Sequence, residues 1–368
     1  MRLFIGLMSG TSMDGVDGVL ADFSAGGVRV LQHASAGFED ALRTELMALN
    51  ASGPDELHRA WLAGNALMRV YAYVVCKLLA QAGVEPAAVA AIGAHGQTVR
   101  HRPGMFDGTG YTIQLAQPAL LAELAGIRVV ADFRSRDVAA GGQGAPLAPV
   151  FHRAVFARPG ESVAVLNIGG ISNVTLLRAD GGMQGFDCGP GNALMDAWCL
   201  QHTGRPYDDD GRWAAGGRVL ADLLAALLAE PYFAQSPPKS TGRDLFNRPW
   251  LAAHLQHFAT AAPQDVQATL TELTARACAG DIERHGSGVG RLIVCGGGAL
   301  NGHLMRRLAA SLPAIQVVSS AEEGLPPLQV EAAAFAWLAM QCVQGEKLDL
   351  QSTTGARGAR VLGGIYPA

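Results

Sequence analysis

The chain opens on an unbroken apolar run, Leu3 to Met8, stops at the small and polar residues from Ser9 to Gly15, and resumes as Val16–Phe23. A short apolar run bounded by glycine and hydroxyl residues is the pattern of a buried strand, and its return after a turn containing Gly and Asp predicts a hairpin. Val28–Ala34 predicts a third strand. The spacing then turns helical over Glu39–Leu49 and over a long segment, Pro54 to Ala82, with proline at its start and Gly83 at its end. Ala90–Ala94 returns as a strand ending in HGQT, Gln117–Leu124 reads as a short helix and Ile127–Val130 as a strand.

The second half repeats the order. Val163–Ile168, Val174–Leu177 and Met183–Phe186 predict three strands, followed by helices at Asn192–Gln201, Leu220–Leu228, Trp250–Phe258 and Val266–Arg284. Strands Leu292–Cys295 and Ile315–Val318 flank a helix at Gly302–Leu312, and Glu331–Val343 is the last helix. No identity between the halves is visible, but the shared order of elements predicts a duplicated α/β architecture. The expected domains are residues 1–131 and 132–368, with the irregular stretch Asp132–Pro149 where the two lobes meet.

Composition narrows the function classes. A chain of 368 residues fits two domains, and 49% hydrophobic against 16% charged residues leaves ample core and excludes wholesale disorder. The net charge of −4 has no basic run beside it beyond the pair Arg306-Arg307, so no nucleic-acid or membrane partner is expected. Six scattered cysteines without CxxC spacing read as free thiols of a reducing cytoplasm. The apolar start is too short for a signal peptide, and Val219–Leu228 is too short for a bilayer and carries Asp222.

Three glycine clusters stand at the ends of apolar runs. Residues 10–17, GTSMDGVD, join the first two strands. The hydroxyls of Thr11 and Ser12 and the turn N–H groups among Gly10, Met13, Gly15, Val16 and Asp17 suit a phosphate, and Asp14 sits where a metal-bound water is held. A solvent turn whose aspartate only bends the backbone would carry the same residues. The loop is not a Walker motif: no GxxxxGK[ST] occurs, and Lys239-Ser240-Thr241 follows two prolines. VAVLNIGGISNVTLL, residues 163–177, is a second hairpin of this type, making Gly169, Gly170 and Asn173 nucleotide candidates. In IVCGGGALN, residues 293–301, the bare backbone of Gly296, Gly297 and Gly298 either takes a ring or ribose or makes a packing corner. A dinucleotide site there lacks its third glycine and its acidic partner.

Other residues carry candidate chemistry. In FDCGPGNALMD, residues 186–196, the chain turns out of a strand at Gly189-Pro190-Gly191 and Asn192 can cap the helix that follows. Asp187 is then placed either to take a proton from a nucleophile or to serve the turn. HGQT, with Gln97, and DFRSRDVAAGGQG, residues 132–144, concentrate polar groups at strand ends. Arg134 and Arg136 suit a substrate carboxylate or a salt bridge between lobes, and Glu331 is a first-turn helix charge or a substrate contact. No HExxH or GxSxG occurs, so zinc and serine hydrolase readings lack a motif.

Taken together, GLMSGTSMDGVD, AIGAHGQT, ADFRSRDVAAGGQGAPL, LNIGGISNVT, GFDCGPGNALMD, PKSTGRDLFN and VCGGGALN resemble the anhydro-N-acetylmuramic acid kinases, nearly end to end and in order. The resemblance implies a two-lobed, duplicated actin-like ATPase / sugar kinase fold with the active site in the interlobe cleft. It implies ATP and Mg²⁺, opening of the 1,6-anhydro ring with phosphorylation of the 6-oxygen in peptidoglycan recycling, and a cytoplasmic homodimer. Asp187 matches the catalytic base and residues 10–17 the ATP-phosphate loop. Gln97, Arg134 and Glu331 are the expected sugar contacts. A plain hydroxyl kinase of amino sugars and a non-catalytic, nucleotide-dependent filament are the rival classes on such a fold.

Overall fold

The computed structural model describes residues 3–10, 13–24, 26–242 and 244–368. The chain divides into two compact units, Met1–Val155 with Gln329–Ala368, and Phe156–Leu328.

In the first unit β1 (Leu3–Met8), β2 (Gly15–Asp22) and β3 (Arg29–Gly37) form an antiparallel meander. Next come α1 (Asp40–Ala48), α2 (Glu56–Ala82), β4 (Val89–Ala94), the hairpin β5 (Gln97–Pro103) and β6 (Gly110–Leu115), α3 (Pro118–Ala125), β7 (Val129–Ala131), α4 (Ser135–Ala139) and α5 (Ala148–Phe156). The second unit holds β8 (Ser162–Ile168), β9 (Ile171–Leu177), β10 (Met183–Pro190), α6 (Asn192–Thr203), α7 (Arg212–Ala215), α8 (Ala221–Leu228), α9 (Arg248–Leu255) and α10 (Pro263–His285). It closes with β11 (Val289–Cys295), α11 (Gly302–Ser311) and β12 (Gln316–Ser319). The chain then rejoins the first unit as α12 (Val330–Gln344), α13 (Gln351–Thr354) and β13 (Gly364–Tyr366).

The duplication expected from element order is present as sheet topology. The first sheet runs β3-β2-β1-β4-β7, with β13 added at the edge, and the second runs β10-β9-β8-β11-β12. In each, three antiparallel strands are followed by two that run parallel to the first.

The division of the chain differs from the single boundary expected at 131/132. The last helix does not close the second unit; α12 lies on β1, β4 and β2 of the first. The physical reason is a pair of glycines. Gly6 and Gly93 face each other across β1 and β4. A Cβ at Gly6 would overlap the Ala332 carbonyl, and one at Gly93 the Phe335 carbonyl. Stripping both positions to backbone lets an alanine-rich helix sit directly on the sheet. Between β4 and α3, where the sequence pattern predicts no element, the chain forms the β5–β6 hairpin.

Among the described residues, α2 is long and apolar enough by length and composition to cross a membrane. Here Leu67, Met68, Tyr71, Val74, Val75 and Leu78 are buried in the first unit's core. The second core gathers Leu270, Leu273, Cys278 and Ile282 of α10 with Leu166, Ile168, Val174 and Leu176 of β8 and β9.

Candidate active site

In the second unit β8 and β11 run parallel as neighbours, and both end in glycine: Gly169-Gly170 after Ile168, and Gly296-Gly297-Gly298 after Cys295. The carboxyl ends of adjacent parallel strands are where an open α/β sheet receives ligands. The start of α6 braces the first turn. Gly191 N–H donates to the Gly170 carbonyl at 2.9 Å, and Asn192 N–H to the Gly169 carbonyl at 2.8 Å. Asn192 does not cap α6 as expected: Gly191 is the N-cap, and the Asn192 amide donates to the Ile168 carbonyl at 3.1 Å. Gly296 has φ +77°, and a Cβ there would overlap Asn167 Oδ1 and lie 2.7 Å from the Ile168 carbonyl. A Cβ on Gly298 would overlap the Ile168 side chain. These two make the packing corner, and Gly297 is the exposed one.

A polar row crosses the same sheet. Asn167 of β8 faces Asn173 of β9, which faces Asp187 of β10. Directly opposed residues share a sheet face with Cβ atoms about 5 Å apart. The register of β10 slips between Asp187 and Gly189, a bulge that re-aims the carboxylate. Asp187 is held at three atoms. Its N–H donates to the Lys239 carbonyl at 3.2 Å, and its carbonyl accepts from the Tyr232 hydroxyl at 2.7 Å. Its Oδ2 accepts from the Thr241 N–H at 3.0 Å. The residue keeps a window to solvent, but desolvation of the carboxylate dominates and pushes its pKa up to about 6, against the opposing pull of the Thr241 N–H and Lys239.

In the first unit Thr11 and Ser12 lie outside the described residues. Met13, at φ +54°, donates its N–H to the Gly10 carbonyl at 3.2 Å. The side chains of Met13 and Val16 are buried, so only their backbone can meet a ligand, whereas Asp14 and Asp17 are exposed. Gly15 is backbone-packed, a Cβ there falling 2.5 Å from the Ala36 carbonyl. Asp17 Oδ1 lies 3.3 Å from His33 Nε2.

Gln97, wholly buried, donates from Nε2 to the Gly10 carbonyl at 3.0 Å, while its Oε1 has no partner among the described residues. Arg134 spends its guanidinium on His95 Nε2, at 2.9 and 3.2 Å, and on the Gly144 carbonyl at 2.8 Å. His95 is therefore the neutral acceptor; burial and the Arg134 charge push it down to about 3. Burial lowers Arg134 to about 10, leaving it cationic at neutral pH. Glu331, exposed at the first turn of α12, has its carboxyl raised by its protein surroundings, and by Asp17, against the pull of Arg134. Asp17 and Arg134 are thus each within electrostatic reach of Glu331, while Arg136 is exposed.

The model of the anhydro-N-acetylmuramic acid kinase family matches residues 2–368. The chain belongs to this family. It is 65% identical to the anhydro-N-acetylmuramic acid kinase of Variovorax paradoxus, covering 100% of this chain and 99% of the relative. It is 60% identical to that of Bordetella pertussis, covering 100% and 96%. In fold it is similar to component A of the Acidaminococcus fermentans (R)-2-hydroxyglutaryl-CoA dehydratase, with a TM-score of 0.50 at 11% identity over 91% of this chain and 96% of that one. That likeness is one of fold.

For this anhydro-N-acetylmuramic acid kinase family member, sequence reasoning left out three groups around Asp187. Lys239 and Asp281 form a buried ion pair, with Nζ 2.9 Å from Oδ2, and Tyr232 stands beside them. The available signal was Lys239 itself, a charge placed between two prolines and a Ser-Thr-Gly turn in PKSTGRD.

Proposed function

We propose that the protein opens the 1,6-anhydro ring of anhydro-N-acetylmuramic acid with water and phosphorylates the freed 6-oxygen from ATP, giving N-acetylmuramate 6-phosphate and ADP in peptidoglycan recycling. The observation that carries this reading is Asp187. A carboxylate titrating near 6 at the glycine-rich end of a sheet is ionised at neutral pH, yet basic enough to accept a proton. Asp187 takes a proton from water as the oxygen bonds to the anomeric carbon, on the face opposite the bridge. The bond from that carbon to the 6-oxygen breaks, and the 6-oxygen displaces ADP from the γ-phosphorus in line. The anomeric centre is inverted.

The glycine turns at 10–15 and 169–170 offer backbone N–H groups to the phosphates, and Asn173 and Gly296–Gly298 line the nucleotide's place. Glu331 contacts the sugar, the remaining N–H groups of Arg134 suit the substrate carboxylate, and the buried Gln97 serves the same site through the Gly10 carbonyl it holds. Among the described residues no three His, Cys, Asp or Glu side chains gather as a metal cage. Magnesium takes one or two carboxylates together with substrate phosphates, and the exposed Asp14 is a donor of that kind, directly or through water. Bound with ATP, Mg²⁺ would supply neutralisation of phosphate charge. A cytoplasmic location is supported by six unbridged cysteines. A homodimer is supported by Leu57 and Trp61, 86% and 65% exposed one turn apart on α2.

ADP release with MgATP tests the assignment against anhydro-N-acetylmuramic acid, N-acetylmuramic acid, N-acetylglucosamine and no sugar. Turnover confined to the anhydro sugar is expected. Turnover with an open sugar would point instead to a hydroxyl-directed amino-sugar kinase.

A further inference from the structure

We propose that Lys239 is a positioning residue for Asp187, acting through its buried ion pair with Asp281; the inference rests on the base role given to Asp187 above. Each of the three atoms by which Asp187 is held leads back to this lysine. The acceptor of the Asp187 N–H is the Lys239 carbonyl. The donor to Oδ2 is Thr241, two residues along the same strap. The donor to the Asp187 carbonyl is Tyr232, whose ring lies under the Lys239 ammonium at 4.9 Å.

The Lys239 side chain is fully buried, which fixes the strap from beneath. Nζ donates to Asp281 Oδ1 at 3.0 Å, and lies 5.8 Å from the ring of Phe186, the residue before Asp187. Two buried charges cost more to desolvate than an apolar pair of equal volume, so fold stability alone is a weak account of them. The other polar groups near the pair are few. Arg284 donates to Asp281 Oδ1 at 2.6 Å from a half-exposed position, and His285 meets the edge of Phe186 at 5.5 Å. Cys188 and Cys278 are buried thiols, the former pushed up by burial. Lys239 is the one of these whose charge draws the Asp187 proton away, so the ammonium both anchors the strap and keeps the carboxylate ionised.

Lys239→Met alone would strand the Asp281 charge, so the informative variant of the full chain is Lys239→Met with Asp281→Asn, a neutral pair of similar volume. Two readouts are taken against wild type: the titration midpoint of the Asp187 carboxyl by ¹³C NMR, assigned by its loss in Asp187→Asn, and steady-state kinetics with MgATP and the anhydro sugar. The double variant is expected to remain folded by circular dichroism. Its Asp187 midpoint should rise by about half a pH unit or more. Its kcat should fall about tenfold or more, with KM for ATP within about twofold. A folded double variant with an unmoved midpoint and unchanged kcat would overturn the proposal. A raised midpoint with a kcat indifferent to it, and to Asp187→Asn, would support the positioning of Asp187 while removing its role as base.

Discussion

Asp187 is the residue at which environment and chemistry meet. Its pKa rises from 3.8, the ordinary aspartate value, to about 6 in the folded chain. Activity that needs the ionised form should therefore fall about tenfold per unit as the pH drops below about 6, which a profile of kcat/KM against pH will show as a single acid limb. Removing the base in Asp187→Asn should cost about 10²- to 10⁴-fold in sugar-dependent ADP release. The stability effect has the opposite sign. The folded chain holds this proton more tightly than the unfolded chain, so the group's contribution declines as pH rises from about 4 to about 6, and the cost persists at neutral pH. Asparagine never ionises, so the variant should melt no lower than wild type at pH 7.5. A lower melting temperature there would mean that the activity loss reports damage rather than chemistry.

At the scale of elements, the contact of α12 with β1 and β4 depends on two missing side chains. Gly93→Ala drives a methyl into the Phe335 carbonyl, where backbone rather than a flexible side chain must move. A loss of about 3 kcal/mol or more is expected in urea unfolding. Gly27→Ala, with nothing within 4 Å of the added carbon, should be close to neutral and serves as the control. Much of this level was legible in sequence. The first strand ends where its apolar run ends, at Leu3 and Met8, and α12 begins one residue before the predicted helix. The destination of α12 was not legible, because nothing within an alanine-rich helix names the sheet it covers. The pertinent signal, glycine at 6 and at 93, acquires meaning only once the strand register sets them side by side. The same limit applied at the site. The glycine turns and Asp187 are local motifs readable in one window, whereas Lys239 and Asp281 are 42 residues apart and of a type that is ordinarily solvated. The β5–β6 hairpin escaped because its strand Gln97–Pro103 carries Arg100, His101 and Arg102 in succession, which breaks the apolar–polar alternation begun at Val99.

For the molecule as a whole, the two units differ in how the chain supplies them. Phe156–Leu328 is continuous and contains all five strands of its sheet and a core of its own. The other unit is made of Met1–Val155 and Gln329–Ala368. Residues 156–328 expressed alone should give a cooperative urea transition with native-like near-ultraviolet dichroism. Residues 1–155 alone should not, since β1 and β4 would expose the face that α12 covers. A soluble, cooperatively folding 1–155 fragment would remove the structural requirement placed on α12.

The glycine-lined face of β1 and β4 also sets an order of events during synthesis. The strands that need α12 leave the ribosome well before it: β4 ends at Ala94 and α12 starts at Val330, so about 235 residues intervene, which at translation speeds of about 5–20 residues per second means roughly ten to fifty seconds. Throughout that interval the nascent chain carries an open sheet surface that nothing made so far can cover. Completion of the first unit thus waits for α12, and a chain cut short before that helix would be an aggregation-prone product rather than a half-active one.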